Sequence, residues 1–239
     1  MSCFIPSRHF NPAVLEFIDR TNNNPDLLRD DLKNLRDINR YFGGLSAIRR
    51  EVVPLLAALP SQREVRILDM ATGSADHPLA IAGLAEQMNR SVTICAVDKN
   101  PQILEIARQR TAGFDNIKIE KHDILAVPYA DQSFDVVLAS LVIHHLSRTD
   151  AVLLLREMKR LSRMLCIVND LNRSWPAYGL AWLFAHISTR NPLSRNDAPV
   201  SVLRAFRPEE LRAMAADAGL ANITIKRSPF CRLLLVAAN

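Results

Sequence analysis

The sequence predicts an α/β fold: a seven-stranded, mostly parallel sheet with helices on both faces, an antiparallel C-terminal strand, and a helical segment ahead of the first strand. Three observations carry this. From Val65 onward, short apolar runs alternate with helical patterns bounded by caps and breakers. The first three runs end in, or run into, Asp69, Asp98 and Asp123, about one strand–helix unit apart. The last two runs are separated only by Ser228-Pro229-Phe230, too short a link for a crossover, so those strands are antiparallel neighbours.

Taken in order, Asn11-Pro12 and Asn24-Pro25 each set a capping side chain before a proline and predict helices over about 12–20 and 25–40. In the second, Leu28, Leu32, Leu35, Ile38 and Phe42 recur at three- and four-residue steps as one apolar stripe. Gly43-Gly44 breaks it. A third helix from Leu45 to about Leu59 carries Pro54, expected to kink or divide it. Residues 1–60 thus read as an N-terminal helical cap segment and 61–239 as the main domain. The stripe needs a partner surface: it packs on the main domain, closes over a ligand pocket, or does both.

Strand 65–70 breaks into the small-residue turn Ala71-Thr72-Gly73-Ser74-Ala75, and a helix starts near Asp76. Strand 92–98 leads to a helix over 101–112, with Asn100 as cap, Pro101 at its first position and Gly113 past its end. Strands over 116–120 and 134–139 follow. Ser147 with Asp150 then forms a capping box for helix 148–161, and a strand covers 164–168. There the rhythm lapses. Residues 170–206 hold an apolar helical stretch after Trp175 and the turn-rich run Arg190 to Pro199, a long insertion expected to act as a lid. Pro208-Glu209-Glu210 opens a helix that Gly219 closes, and strands about 222–227 and 231–237 end the chain.

Composition sets outer limits. The chain has 239 residues, 49% hydrophobic and 23% charged, which suits one large domain with an accessory segment. A net charge of +5 without like-charge runs weakly favours anionic partners; a solvated mixed surface is the plainer reading. Cys3, Cys95, Cys166 and Cys231 form no Cys-x-x-Cys pair, so neither a metal site nor a disulfide framework is indicated. The N-terminus lacks a signal-peptide apolar core. The apolar run Tyr178 to Ile187 is about half the ~20 residues a membrane span needs. A soluble cytoplasmic protein is expected.

In a parallel sheet the carboxyl ends of the strands share one edge, and ligands bind there where the strand order reverses. An acid after the second strand suits the two hydroxyls of a ribose, and one after the third suits the exocyclic amine of an adenine. Taken singly, each is an ordinary strand-end Asp. Three in register beside a small-residue turn point to an adenosine-type ligand. A dinucleotide fingerprint needs three glycines and this turn has only Gly73; no phosphate-binding lysine motif is present either. Such a turn suits a ligand that has no phosphates to cradle.

Residues 65–145 resemble class I S-adenosylmethionine-dependent methyltransferases, which have a Rossmann-like sheet. The matching pieces are Ile67 to Asp76, Ala96-Val97-Asp98-Lys99-Asn100-Pro101-Gln102-Ile103-Leu104, His122-Asp123-Ile124 and Asp131 to Val137. The turn Ala-Thr-Gly-Ser-Ala-Asp is most similar to ubiquinone/menaquinone-biosynthesis methyltransferases. Ala71 and Ala75 stand where the superfamily usually has glycine; alanine is tolerable there if φ stays negative, and cofactor binding is expected to be retained. The resemblance implies that Asp69, Ala71, Thr72 and Gly73 shape the methionine side of an S-adenosylmethionine pocket. It implies that Asp98 holds the ribose, that Lys99 and Ile103 lie near the adenine, and that Asp123 and Ile124 contact its edge and face. Ser140 and Leu141 would line the sulfonium, and Tyr41 with Gly43 would reach the cofactor carboxylate.

Methyl transfer to a phenol or enol benefits from a base. His144-His145, after the fourth strand, are the catalytic candidates; the competing reading is a loop that packs beneath the cofactor. Asn169-Asp170 are second-rank candidates or a solvated turn, and Asp76 either caps its helix or touches ligand. Trp175, Tyr178, Trp182 and Phe184, with the N-terminal stripe, wall an apolar pocket or simply pack on the sheet. The expected acceptor is a hydrophobic small molecule: phenolic, quinone-like or polyketide. No nucleic-acid partner is expected, since Ser140-Leu141-Val142-Ile143 stands where amine-methylating nucleic-acid enzymes carry Asn/Asp-Pro-Pro-Tyr. An RNA or protein methyltransferase and a non-catalytic cofactor-binding subunit remain alternatives, and a homodimer is left open.

Overall fold

The apolar runs become the strands of one sheet in the computed structural model, which describes residues 5–228 and 230–238; Cys3 and Pro229 lie outside them. The strands are β1 (Val65–Met70), β2 (Val92–Asp98), β3 (Ile117–Lys121), β4 (Phe134–Ser140), β5 (Ser162–Leu171), β6 (Ile223–Ser228) and β7 (Arg232–Ala238). Their order is β3-β2-β1-β4-β5-β7-β6. The first five pair in parallel, and β7 runs antiparallel between β5 and β6. The sequence expectation of a mostly parallel, seven-stranded sheet with an antiparallel C-terminal strand therefore holds. Strand order reverses between β1 and β4, which places a ligand crevice beyond their carboxyl ends.

The central strands β1 and β4 are apolar on both faces because both faces are covered. Helices α5 (Arg148–Leu161) and α8 (Pro208–Asp217) cover one face through Leu154, Leu155, Met158, Leu211 and Met214. Helices α2 (Gly44–Ala58) and α3 (Asp76–Gln87) cover the other through Ile48, Val52, Leu56 and Ile81. Helices α1 (Pro25–Tyr41) and α4 (Pro101–Thr111) meet through Leu28, Leu32, Ile103 and Ile106. The caps behave as their residues demand. Asn24 accepts from the N–H groups of Asp26 and Leu27, Asn100 from Gln102, and Ser147 from Asp150. Each such cap is worth about 1 kcal/mol.

Three local expectations are corrected. Residues 12–20 form no helix beyond one 3-10 turn, Phe17–Asp19. Asn11 instead accepts from its own neighbour Ala13, and the N–H groups of Phe17 and Ile18 donate to Asp197, so tertiary partners replace the helical ladder. Helix α2 is not divided at Pro54. Burial of Ile48, Val52 and Leu56, at roughly 1.5–3 kcal/mol each, outweighs the ~3 kcal/mol an interior proline costs. Pro54 also faces solvent, where water can reach the freed carbonyl. Finally, the turn-rich run after Arg190 is helix α7 (Pro192–Arg204), started by Asn191, whose side chain accepts from Leu193, with Pro192 at the first position. It packs beside α6 (Trp175–Ser188), capped by Ser174. Among the described residues no helix is long and apolar enough to cross a membrane.

Candidate functional site

A cavity of about 410 Å³ opens beyond the carboxyl ends of β1, β2 and β4, roofed by α1, α6 and α7. Its strand-end wall is the turn after β1. Thr72 donates from its backbone to Val97 of β2 and from Oγ1 to Asp69 Oδ2 at 2.6 Å. Gly73 N–H donates to Asp98 Oδ2 at 3.2 Å, and Asn100 N–H to Asp98 Oδ1 at 3.0 Å. Asp98 thus ties the β1 turn to the β2 turn. Burial raises its pKa, against those N–H donors. Arg110 braces the far side of the turn through the Ser74 carbonyl and hydroxyl and Asp76.

Ala71 and Ala75 do not keep negative φ. Their φ values are 59° and 60°, beside Gly73 at 56°. A left-handed Cβ costs about 1–2 kcal/mol, and the hydrogen-bonded frame around Asp98 and Arg110 holds both alanines there. Leu141, just past β4, is likewise at φ 53°, fixed by its N–H to the Asn169 carbonyl. Backbone outliers held this way cluster at ligand sites.

The cavity gathers Ala71, Thr72, Gly73, Asp98, Lys99, Ile103, Asp123, Ile124, Ser140, Leu141, His144 and His145. Three expected residues are absent from its lining. Asp69 is 1% exposed and sits beneath the turn; burial, with Asp76 and Asp98 nearby, pushes its pKa up to about 8. Tyr41 is 65% exposed on the outside, and Gly43 serves as the left-handed cap of α2. Ile38, Asn39 and Phe42 of that corner face the cavity instead. Asp76 lines the cavity while accepting from Ser74 and Arg110, so it both braces the turn and meets the ligand space.

At the far end of β4 the two histidines take different partners. Asp170 is no solvated turn residue: it is buried within β5 and accepts from the N–H groups of Val142, Ile143 and Leu171. Its Oδ1 also lies 2.6 Å from His144 Nδ1. Burial would raise the Asp170 pKa, but His144 and these N–H groups hold it low. With Nδ1 so engaged, Nε2 is the His144 nitrogen left for a ligand. His145 Nδ1 lies 2.7 Å from Asp19, and its Nε2 lies 3.9 Å from Glu16. Although burial opposes it, the two carboxylates push the His145 pKa up to about 9, so this ring is a cation at neutral pH. One ligand atom each from Glu16, His144 and His145 lies within 4.8 Å of the others, a donor set a metal accepts. Glu16 is already bound by Ser201 and Arg204, and His145 by Asp19, which makes the group an ion-pair network.

The wall built by α1 and α6 is apolar. Ala177, Leu180, Ala181 and Phe184 present one face of α6, and Leu32, Leu35 and Ile38 one face of α1. Phe42 meets Phe184 and Phe230 edge-on, at 4.8 and 5.0 Å. Trp175 and Trp182 point outward, 45% and 46% exposed, and Tyr178 packs against Trp175, so of the expected aromatic cluster only Phe184 reaches the cavity. Sequence reading passed over Arg232, a cavity residue at the start of β7, although a lone cation leading an apolar strand was a visible signal.

A methyltransferase-domain family profile matches residues 61–219. The chain belongs to that family. The demethylmenaquinone methyltransferase of Staphylococcus aureus strain JH9 is 23% identical over 177 residues, covering 69% of this methyltransferase and 71% of that protein. An S-adenosylmethionine-dependent methyltransferase structure from Aquifex aeolicus superposes with a TM-score of 0.59 at 16% identity, over 91% of this chain and 99% of that one. An O-methyltransferase family 2 protein from Planctomyces limnophilus, in complex with apigenin, gives 0.61 at 16% identity, over 92% and 63%. The fold is that of the class I S-adenosylmethionine-dependent methyltransferases.

Proposed function

We propose that this methyltransferase methylates a hydrophobic small molecule carrying an acidic hydroxyl or enol, phenolic, quinone-like or polyketide in kind. One observation carries the reading: a single cavity runs from the strand-end acids, past the His144–Asp170 pair, to an apolar wall built by α1 and α6. The quinone-precursor and apigenin chemistry named for the relatives is of the same class.

The residues fit an adenosyl ligand. Asp98 keeps lone pairs for ribose hydroxyls beyond its two N–H donors, Asp123 can accept from an adenine amine, and Ile103 and Ile124 line the same cavity. Ala71, Thr72 and Gly73 border the methionine portion, and Ser140 and Leu141 the sulfur. Bound S-adenosylmethionine supplies a methyl group already activated by its sulfonium. The protein's share is alignment, which can contribute roughly 7–11 kcal/mol, and proton removal. His144 Nε2 takes the acceptor proton while Asp170 fixes the ring's tautomer and orientation. His145, charged by Asp19 and Glu16, stabilises the oxyanion that this leaves.

The test is transfer of labelled methyl to a panel of phenols, naphthols, quinols and 1,3-diketones, alongside tRNA and peptide pools. Turnover of a panel member that drops with Asp98→Ala is the expected result. Labelling of RNA or peptide alone would sink the small-molecule reading, and no labelling with donor still bound would favour a non-catalytic subunit.

A further inference from the structure

We propose that Arg232, with Asn39 and His77, forms a subsite for a carboxylate on a ligand of the cavity. Arg232 is 1% exposed, yet among the described residues it has no ion-pair partner. Its Nη2 donates to Asn39 Oδ1 at 3.1 Å, and its Nη1 is buried with no hydrogen-bond partner among the described residues. The nearest counter-charge is Asp170, which acts at longer range and is already held by His144 and three backbone N–H groups. A buried guanidinium whose one hydrogen-bond acceptor is a neutral amide is rarely kept without a use. Burial draws its pKa down to about 10, which still leaves it protonated at neutral pH. It stands at the first residue of β7, opposite Leu171 at the carboxyl end of β5, and lines the cavity.

Its surroundings are built for a guest. His77, in the first turn of α3, also lines the cavity and has an unpartnered buried Nε2; burial pulls its pKa to about 4, so the ring is neutral. At Gly44 a Cβ would stand 2.6 Å from Asn39 Oδ1 and 3.2 Å from Arg232 Nη1. The missing side chain therefore lets the α1–α2 corner close on the guanidinium. Asp76, 3.5 Å from Asn39 Nδ2, also borders this end of the cavity but is already held by Arg110 and Ser74, and the cation His145 is paired with Asp19, which leaves the Arg232 guanidinium open to an anionic ligand group. The carboxylate has two sources: the amino-acid tail of the adenosyl ligand, or an acid group on the acceptor.

The inference rests on the cavity being the chamber for donor and acceptor. Calorimetry and thermal melts on the full chain separate the cases, comparing wild type with Arg232→Met, Arg232→Lys and Asn39→Ala. The probes are S-adenosylhomocysteine against methylthioadenosine, which lacks the amino-acid tail, and 2-naphthoate against its methyl ester. Arg232→Met is expected to melt no lower than wild type, because it removes a buried charge that has no hydrogen-bonded counter-ion. Its affinity for the carboxylate-bearing probe should fall about 10- to 100-fold, with the tail-less or esterified partner unaffected. Loss for S-adenosylhomocysteine assigns the donor tail; loss for naphthoate assigns the acceptor. Equal binding of both carboxylates by wild type and Arg232→Met overturns the inference, as does an equal loss for the uncharged probes. Should Arg232→Met fold poorly, unchanged carboxylate affinity in Arg232→Lys and Asn39→Ala overturns it instead. Failure of wild type to bind either adenosyl probe marks failure of the chamber reading.

Discussion

The donor side and the lid side of the cavity are built on different plans. The donor side comes from the ends of adjacent parallel strands. Its turns are cross-tied by Asp98 and Arg110 and hold Ala71, Gly73, Ala75 and Leu141 at positive φ. The lid side comes from segments far apart in sequence: the turn at 17–19, α1, α6, α7 and Arg232. These are joined by side-chain contacts such as Phe17 and Ile18 N–H to Asp197, Asn34 to Ser194, and Arg204 to Glu16. A strained, cross-tied frame suits a fixed ligand, whereas the apolar side chains that these helices turn to the cavity can be revised without disturbing the sheet. On this view, changes on the donor side alter donor affinity, and changes on the apolar helices of the lid alter acceptor choice, with Arg232 acting on whichever ligand supplies its carboxylate.

The largest test of that division is at the histidine. His144→Ala or Asp170→Asn should lower kcat about 10²- to 10⁴-fold while calorimetry shows S-adenosylhomocysteine affinity unchanged. A parallel loss of donor affinity would place His144 on the donor side. Asp98→Asn should weaken S-adenosylhomocysteine about 10- to 100-fold, since it removes charge-assisted acceptance, without changing which acceptors are used. Phe184→Ala should cut kcat/KM for the bulkiest acceptors about tenfold and leave donor affinity alone; an equal effect on both would erase the distinction.

Smaller effects probe stability. The His145 pKa is raised in the fold from 6.5 to about 9, so its stabilisation is fully present below pH 6.5 and lost as pH rises through about 9. The melting-temperature gap between wild type and His145→Gln should narrow across that window, and a constant gap would place the stabilisation elsewhere. Ala71→Gly relieves a left-handed Cβ at the expense of a floppier unfolded chain, for a net gain of about 0.5–1 kcal/mol. Urea midpoints read this directly.

Most of the frame was legible in the residues themselves. Apolar runs, Asn-Pro and Ser-x-x-Asp starts and strand-end acids act over one or two turns of chain, so they specify strands, helices and the sheet edge where Asp98, Asp123, Ser140 and His144 meet. The same Asn-Pro signal gave a helix at Asn24 and at Asn191 but none at Asn11, where long-range partners satisfied the backbone in another way. Tertiary structure alone decided the rest. It turned Trp175 and Trp182 outward and left Tyr41 in solvent. It buried Asp69 and Asp170 behind the residues they hold, and carried Arg232 across to Asn39. It also fixed the sign of φ at Ala71 and Ala75, because a frame of hydrogen bonds closed over the turn overrides a local preference of only about 1–2 kcal/mol.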